Sequence, residues 1–286
     1  MDEQTTRSKS SKLTNNFAEG IPGNSRNSWT NSWTPIKSLG EFAHRGRKVR
    51  DGCPGVRPPK KGMDQRDKVG TVEKYCKGYE VYGYSPKALG WDKGRQDIRF
   101  EVLLSFFECE GKSILDIGCG FGDLNRVLAR SFGDSFRYTG IDVVPDLIDE
   151  GRWHYSRENV DFVNSDFLEH SFCRSFDIVV ASGIFNHKFV SGENDRFVER
   201  VLNKAWSFCK EGLAVDFLSD RVDYRYDHAY YNNQERIVGL GYGLSRNVVL
   251  RNDYMPFEFC LYVGKDDSFE KSDAVFNMHK QRTGCG

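Results

Sequence analysis

The chain has 286 residues, with 41 Lys and Arg against 41 Asp and Glu, so its formal charge sums to zero. No run approaches the roughly 20 apolar residues of a membrane span, and the first residues lack the apolar core of a secretory signal. These features exclude a membrane-embedded or exported class and imply a soluble, cytoplasmic protein. The eight cysteines, at 53, 76, 109, 119, 173, 209, 260 and 285, form no C-x-x-C pair, which argues against zinc; they suit reduced thiols, several of them in apolar runs.

In chain order, residues 1–70 come first, rich in Ser, Asn, Gly, Pro and basic residues and poor in aliphatic ones. They bury too little apolar surface to offset chain entropy, so a disordered segment is expected there. This segment carries 14 Lys and Arg against 7 Asp and Glu, a charge of about +7. Its basic run Arg45–Arg50, with Lys60 and Lys61, reads either as a docking arm for an acidic surface or as a solvated tail; Met63 is an alternative start. The stretch Tyr82–Trp91 mixes aromatic and small residues, and reads as a lid or as a cap on the core. Ile98, Val102, Leu103 and Phe106 mark a helix over 95–107. Strands are expected near 113–117, 137–142, 160–164, 177–181 and 212–218, with helices near 122–132, 145–154 and 193–209 between some of them. That alternation specifies a mostly parallel sheet with helices on both faces. A helix near 230–240 follows. The apolar runs 247–250 and 257–263 are joined by too short a link for a crossover, so they pair as an antiparallel hairpin. The polar tail after about Lys265 should fray. The resulting division is 1–70 disordered, 71–265 a folded domain, and 266–286 a tail.

The most informative run is Ser113–Asp123, an apolar strand ending in Asp116 and then in Gly118, Gly120 and Gly122. Such a turn lets backbone approach a ligand at the carboxyl end of a strand, where open α/β sheets bind nucleotide-like molecules. Asp116 opposes a pyrophosphate by charge. The third glycine of the dinucleotide pattern is also out of place, because Asp123 stands where it belongs. S-adenosylmethionine, which carries a sulfonium and an ammonium and no phosphate, fits an acidic rim better.

The run Asp116-Ile-Gly-Cys-Gly-Phe-Gly122 resembles the first motif of the class I S-adenosylmethionine-dependent methyltransferases, and further matches follow in family order over residues 96–264. The resemblance implies a Rossmann-like, doubly wound sheet of seven strands, mostly parallel, ending in an antiparallel hairpin. It implies that Asp142 accepts the ribose hydroxyls beside Val143, that Asp166 meets the adenine amino group, that Phe167 lies along the base, and that Ser182 opens the catalytic loop Ile184–Lys188. With Asp116, Gly118 and Gly120 these form the expected cofactor site. Expected catalytic residues are Asn186 and His187 after the fourth strand and His228 after the fifth, the histidines as bases because imidazole titrates near neutrality. Asp220, Asp223, Asp227, Tyr84, Trp91, Gln96 and Arg99 lie on the same side. Tyr224, Tyr226, Tyr230 and Tyr231 form an aromatic cluster suited to an acceptor pocket or to packing.

The expected function is methyl transfer to a small molecule, most naturally at oxygen. The loop 182–188 lacks the Asn/Asp-Pro-Pro-Tyr run of enzymes that methylate base amines, which makes nucleic acid an unlikely partner. Alternatives are action on nucleic acid or protein, and donor binding without catalysis. A nicotinamide-dependent oxidoreductase is disfavoured by Asp116.

Overall fold

The computed structural model describes residues 62–91 and 94–284. The basic run 45–50, Lys60, Lys61 and most of the segment expected to be disordered lie outside the described residues. Seven strands form one sheet: β1 (Ser113–Ile117), β2 (Arg137–Asp142), β3 (Val160–Asn164), β4 (Phe176–Ala181), β5 (Cys209–Leu218), β6 (Val248–Arg251) and β7 (Glu258–Gly264). Their spatial order is β3-β2-β1-β4-β5-β7-β6. The first five run parallel, whereas β7 lies antiparallel between β5 and β6. The chain reverses direction across the sheet between β1 and β4, where such sheets open a crevice at their strand ends.

Seven α-helices accompany the strands among the described residues: α1 (Gln65–Tyr82), α2 (Gln96–Leu104), α3 (Leu124–Phe132), α4 (Pro145–His154), α5 (Asn194–Phe208), α6 (Gln234–Leu244) and α7 (Asn277–Thr283). Strand alternation divides the core into two faces. Leu115, Val179, Ala181, Leu213 and Val215 pack with Val198, Val201 and Leu202 of α5 and Ile237 of α6. Ile114, Ile178, Val180 and Ala214 pack with Phe100 and Leu103 of α2 and Leu124 and Leu128 of α3. Residues 116, 182 and 216 continue the second face into the crevice by the same period of two.

Helix α1 departs from the expected organisation. It starts at Gln65, inside the segment read as disordered, because the Asp64 side chain caps it by accepting from Arg66 N–H at 3.0 Å. Val72, Tyr75, Cys76 and Tyr79 form a helical stripe that packs with Phe121, Val144 and Leu147. Three smaller differences have local causes. Helix α6 begins at Gln234 instead of 230 because Asn233 supplies its N-cap, accepting from Arg236 N–H. Cys209 opens β5 instead of closing a helix; it pairs with Phe176 of β4. The tail expected to fray contains α7. Among the described residues no helix is long and apolar enough to cross a membrane, and no cluster of His, Cys, Asp and Glu is arranged to hold a metal.

Candidate functional site

The glycine turn follows β1 directly and is pinned to β2, since Gly118 N–H and Cys119 N–H both donate to the Ile141 carbonyl, at 2.7 and 3.2 Å. Two glycines there are required by sterics. Gly118 has φ +67° and a Cβ on it would collide with the Ile184 side chain; Gly122 has φ +78° and a Cβ would sit 2.5 Å from the Phe162 ring. Asp123 stands at the N-terminus of α3 and accepts from the hydroxyls of Tyr84 and Tyr155 at 2.7 and 2.8 Å. The positive helix end that receives pyrophosphate in dinucleotide sites thus has the chain's own carboxylate beside it, although that side chain caps no α3 amide.

Asp142 ends β2. Its Oδ2 accepts from Gly120 N–H and its Oδ1 from Val144 N–H, each at 2.9 Å. A carboxylate oxygen has two lone-pair directions, so one on each oxygen remains for a ligand, in the arrangement a vicinal diol needs. Burial raises the Asp142 carboxyl above its ordinary pKa, and the backbone donors from Val144, Gly120 and Val143 oppose that. Asp116 is buried and accepts from the Tyr138 hydroxyl at 2.7 Å. Burial, reinforced by the Asp142, Asp216 and Asp123 charges, pushes it up to about 7 despite that bond. Its charge is therefore conditional, and a cationic ligand would favour the ionised form.

After β3, Asp166 is buried. Its Oδ1 accepts from Leu168 N–H and its Oδ2 from Met63 N–H, both at 2.8 Å. The stretch before α1 is thereby tied to the same carboxylate that the adenine amino group is expected to meet. Lys204 Nζ fixes the following loop by donating to the carbonyls of Phe167 and His170, each at 2.6 Å.

All eight residues expected to bind cofactor line one cleft, as does His187; its open space is about 1040 Å³ counted out to bulk solvent. Helix α1 roofs it with Thr71 and Tyr75, and Trp91 and Gln96 close it on the α2 side. Asn186 and His228 are not part of its wall. The Asn186 side chain accepts from Leu218 N–H at 3.0 Å, and its carbonyl from Tyr230 N–H at 3.0 Å, so it joins the β4 loop to the end of β5. His228 is exposed and stacks on Tyr226 with ring centroids 5.5 Å apart. Asn186 Oδ1 is thus engaged in loop architecture, and His228, though exposed, lies close enough for its charge to lower the His187 pKa.

His187 Nδ1 lies 3.4 Å from Lys74 Nζ. Burial first, and then the Lys74 charge, lowers its pKa, which keeps the imidazole neutral at pH 7. An ammonium has only protons to give, so Nδ1 is the accepting nitrogen and Nε2 carries the hydrogen. In this tautomer His187 donates a hydrogen bond at Nε2, and acting as a base there would require release from Lys74.

Other residues grouped with the site by sequence do different work. Arg99 Nε donates to Glu258 Oε2 at 2.6 Å in a buried ion pair, and its guanidinium lies 3.9 Å over the Trp91 ring. Trp91 in turn packs against Gly183, where a Cβ would come within 2.7 Å of the indole. The tyrosine cluster stays outside the cleft: Tyr224 and Tyr226 are exposed, and Tyr230 donates to Asp195. Asp216 was not singled out by sequence. It is buried, its Oδ2 accepts from Ser182 Oγ at 2.5 Å and its Oδ1 from Gly183 N–H at 2.6 Å, so it holds the first residues of the β4 loop. Burial pushes its carboxyl up to about 6. The signal was an Asp in the middle of the apolar run Ala214-Val-Asp-Phe-Leu218. Two buried oxygens on the cleft wall, Thr71 Oγ1 and Gln96 Oε1, have no hydrogen-bond partner among the described residues.

The strand order, the antiparallel β7, and the glycine turn facing a carboxylate at the end of β2 define the fold of the class I methyltransferases. Residues 114–212 match the family described as "Methyltransferase domain". Magnesium protoporphyrin IX methyltransferase from Synechocystis PCC 6803, solved with bound S-adenosylmethionine, superposes with a TM-score of 0.52 at 14% identity, over 71% of this chain and 99% of that one. A malonyl-[acyl-carrier protein] O-methyltransferase from Acetivibrio thermocellus is 30% identical over 113 residues, 38% of this chain and 36% of its own. A ubiquinone biosynthesis O-methyltransferase from Hydrogenovibrio crunogenus is 30% identical over 94 residues, 32% of this chain and 38% of its own. The chain thus spans little more than a third of the length of the curated relatives it matches.

Proposed function

We infer that this protein transfers a methyl group from S-adenosylmethionine to a small acceptor, at an oxygen atom. The observation that carries the donor reading is Asp142, whose two oxygens each keep one unspent lone pair at the mouth of the crevice. Among the described residues the cleft wall carries Asp116, Asp142 and Asp166 and, as its one basic side chain, His187, with Lys68 behind Asp166 at 3.8 Å; this acidic balance favours a cationic nucleoside over a diphosphate. The oxygen acceptor is supported by the two curated relatives, both named O-methyltransferases.

When bound, the donor supplies a methyl group on a positively charged sulfur that already serves as leaving group. The chain's own task is alignment, worth about 7 to 11 kcal/mol when reacting atoms are held at near-attack distance. Gly118 and Gly120 let backbone approach the donor, Asp142 fixes the ribose, and Asp166 with Phe167 holds the base. Released from the Lys74 ammonium, His187 takes the proton of the acceptor hydroxyl, which contributes roughly 10²- to 10⁴-fold. The test is calorimetry with purified protein. Binding of S-adenosylhomocysteine without binding of NADH supports the reading, and the opposite pattern ends it. Transfer of labelled methyl groups into the small-molecule fraction of a cell extract, and not into nucleic acid or protein, then separates the acceptor classes.

A further inference from the structure

Where helix α1 meets the loop after β4, the edge of the cleft is basic, in contrast to its acidic strand ends. Lys74 stands on α1 between Thr71 and Tyr75, which both line the cleft, and its Nζ is 3.4 Å from Nδ1 of His187 on the wall. That neutral nitrogen and the Tyr75 ring, 5.1 Å away, are its neighbours. Lys68 on the same helix is paired with Glu169 at 3.1 Å and Asp166 at 3.8 Å, whereas among the described residues no carboxylate lies within ion-pair distance of Lys74. The charge of His228 also reaches His187, and Asp67 opposes it. The Asp67 oxygens are already taken, one by Ser191 N–H at 3.2 Å and the other by the Ser191 hydroxyl. Lys74 is exposed, so an incoming molecule can reach this uncompensated charge.

We propose that Lys74 receives an anionic group, a carboxylate or a phosphate, carried by the methyl acceptor, and that this engagement frees His187 to act as base. The proposal rests on the methyl-transfer reading above and names the class of acceptor: a hydroxyl compound whose negative charge lies apart from the atom methylated. An anionic oxygen accepts from an ammonium more strongly than a neutral ring nitrogen does, so it draws the Lys74 bond off Nδ1. Nδ1 can then carry the ring hydrogen, which leaves Nε2 to accept a proton. The anion also offsets the charge that holds the imidazole's proton affinity down. In the transfer, the acceptor oxygen bonds the methyl carbon, the carbon–sulfur bond breaks with its electron pair left on sulfur, and the hydroxyl proton passes to Nε2. A neutral acceptor leaves Lys74 on Nδ1 and the base unformed. Recognition of charge and activation of the nucleophile are thus coupled through one ring, with the anion on its Nδ1 side and the hydroxyl on its Nε2 side.

The experiment incubates the protein with methyl-labelled S-adenosylmethionine and the small-molecule fraction of a cell extract, then passes the products over an anion exchanger at neutral pH. Label is expected to stay on the exchanger, because the anionic group survives methylation. Release by phosphatase identifies a phosphate, and resistance a carboxylate. Lys74→Met should lower the retained label about 10-fold or more, the scale of one lost hydrogen bond to a charged group. Lys74→Arg should keep most of it, and S-adenosylhomocysteine affinity checks that each variant is folded. A second measurement needs no variant: in wild-type protein loaded with S-adenosylhomocysteine, acetate or inorganic phosphate at constant ionic strength should raise the His187 pKa followed by NMR, and acetamide should not. Label confined to neutral products, retained label indifferent to Lys74→Met, or a histidine unmoved by both anions would overturn the proposal. Absence of label from every small molecule would instead remove the methyl-transfer reading on which it rests.

Discussion

Replacing Asp142 with alanine removes two kinds of bond at once, and they are separable by ligand choice. The carboxylate accepts one backbone N–H on each oxygen at 2.9 Å, from Gly120 and Val144, and offers one further lone pair per oxygen to the ribose. A hydrogen bond to a charged group contributes about 1.5 to 3 kcal/mol. Two of them at the lower end give about 3 kcal/mol, or roughly 150-fold in Kd. The two backbone N–H groups also lose their partner, at about 1 to 3 kcal/mol of folding stability for an unsatisfied buried donor, so a thermal melt should show a lower midpoint in the ligand-free variant. Calorimetry with S-adenosylhomocysteine measures the affinity loss. The 2′-deoxy and 3′-deoxy analogues then supply the control: wild type should discriminate against both, and Asp142→Ala against neither. A variant that binds within threefold of wild type, or that still discriminates against the deoxy ligands, would refute the placement of the ribose.

Gly122→Ala forces a left-handed backbone and a collision with Phe162; a loss of about 2 to 4 kcal/mol is expected in urea unfolding. Asp116 has a folded pKa near 7 against an ordinary 3.8, so the folded state holds a proton that the unfolded chain releases, and its burial penalty grows as pH rises from about 4 through 7. Asp116→Asn should therefore raise the melting temperature of ligand-free protein at pH 8, with the gain fading by pH 4, while weakening binding of the cationic donor at pH 8. Asp216→Asn keeps one acceptor oxygen for the two donors Ser182 Oγ and Gly183 N–H; about 1 to 3 kcal/mol of stability should be lost, with weaker donor binding measured alongside. Lys74→Met removes the charge beside His187 Nδ1, and the histidine's pKa, followed by NMR titration, should move upward.

The sheet was readable because buried parallel strands are short apolar runs with turn residues at both ends. Ser113–Ile117, Arg137–Asp142 and Val160–Asn164 all fall where their apolar runs placed them. Helix α1 was hidden by its composition: its outer face is Lys and Glu, and the stripe of Val72, Tyr75, Cys76 and Tyr79 has few aliphatics, so a reading weighted toward aliphatic content passed over it. Residues at strand ends were legible for a related reason. Asp116 and Asp142 are set by the strand register, and the turns that follow are too short to redirect them. The loops after β4 and β5 gave no such constraint. Asn186 and His228 have polar side chains at plausible sequence positions, but the bridge between His187 and Ala229 and the bond from Leu218 N–H to Asn186 Oδ1 lace those two loops together. That lacing sets His187 on the cleft wall and engages the Asn186 amide oxygen, while His228 stays exposed beside it. Such long-range pairing has no local sequence signature; the Asp in the apolar run of β5 was visible, but its bonds to Ser182 and Gly183 across the sheet were not. The strand-end residues of the cleft are therefore fixed by local sequence, whereas the loop residues beside it are fixed by contacts between loops that only the folded chain brings together.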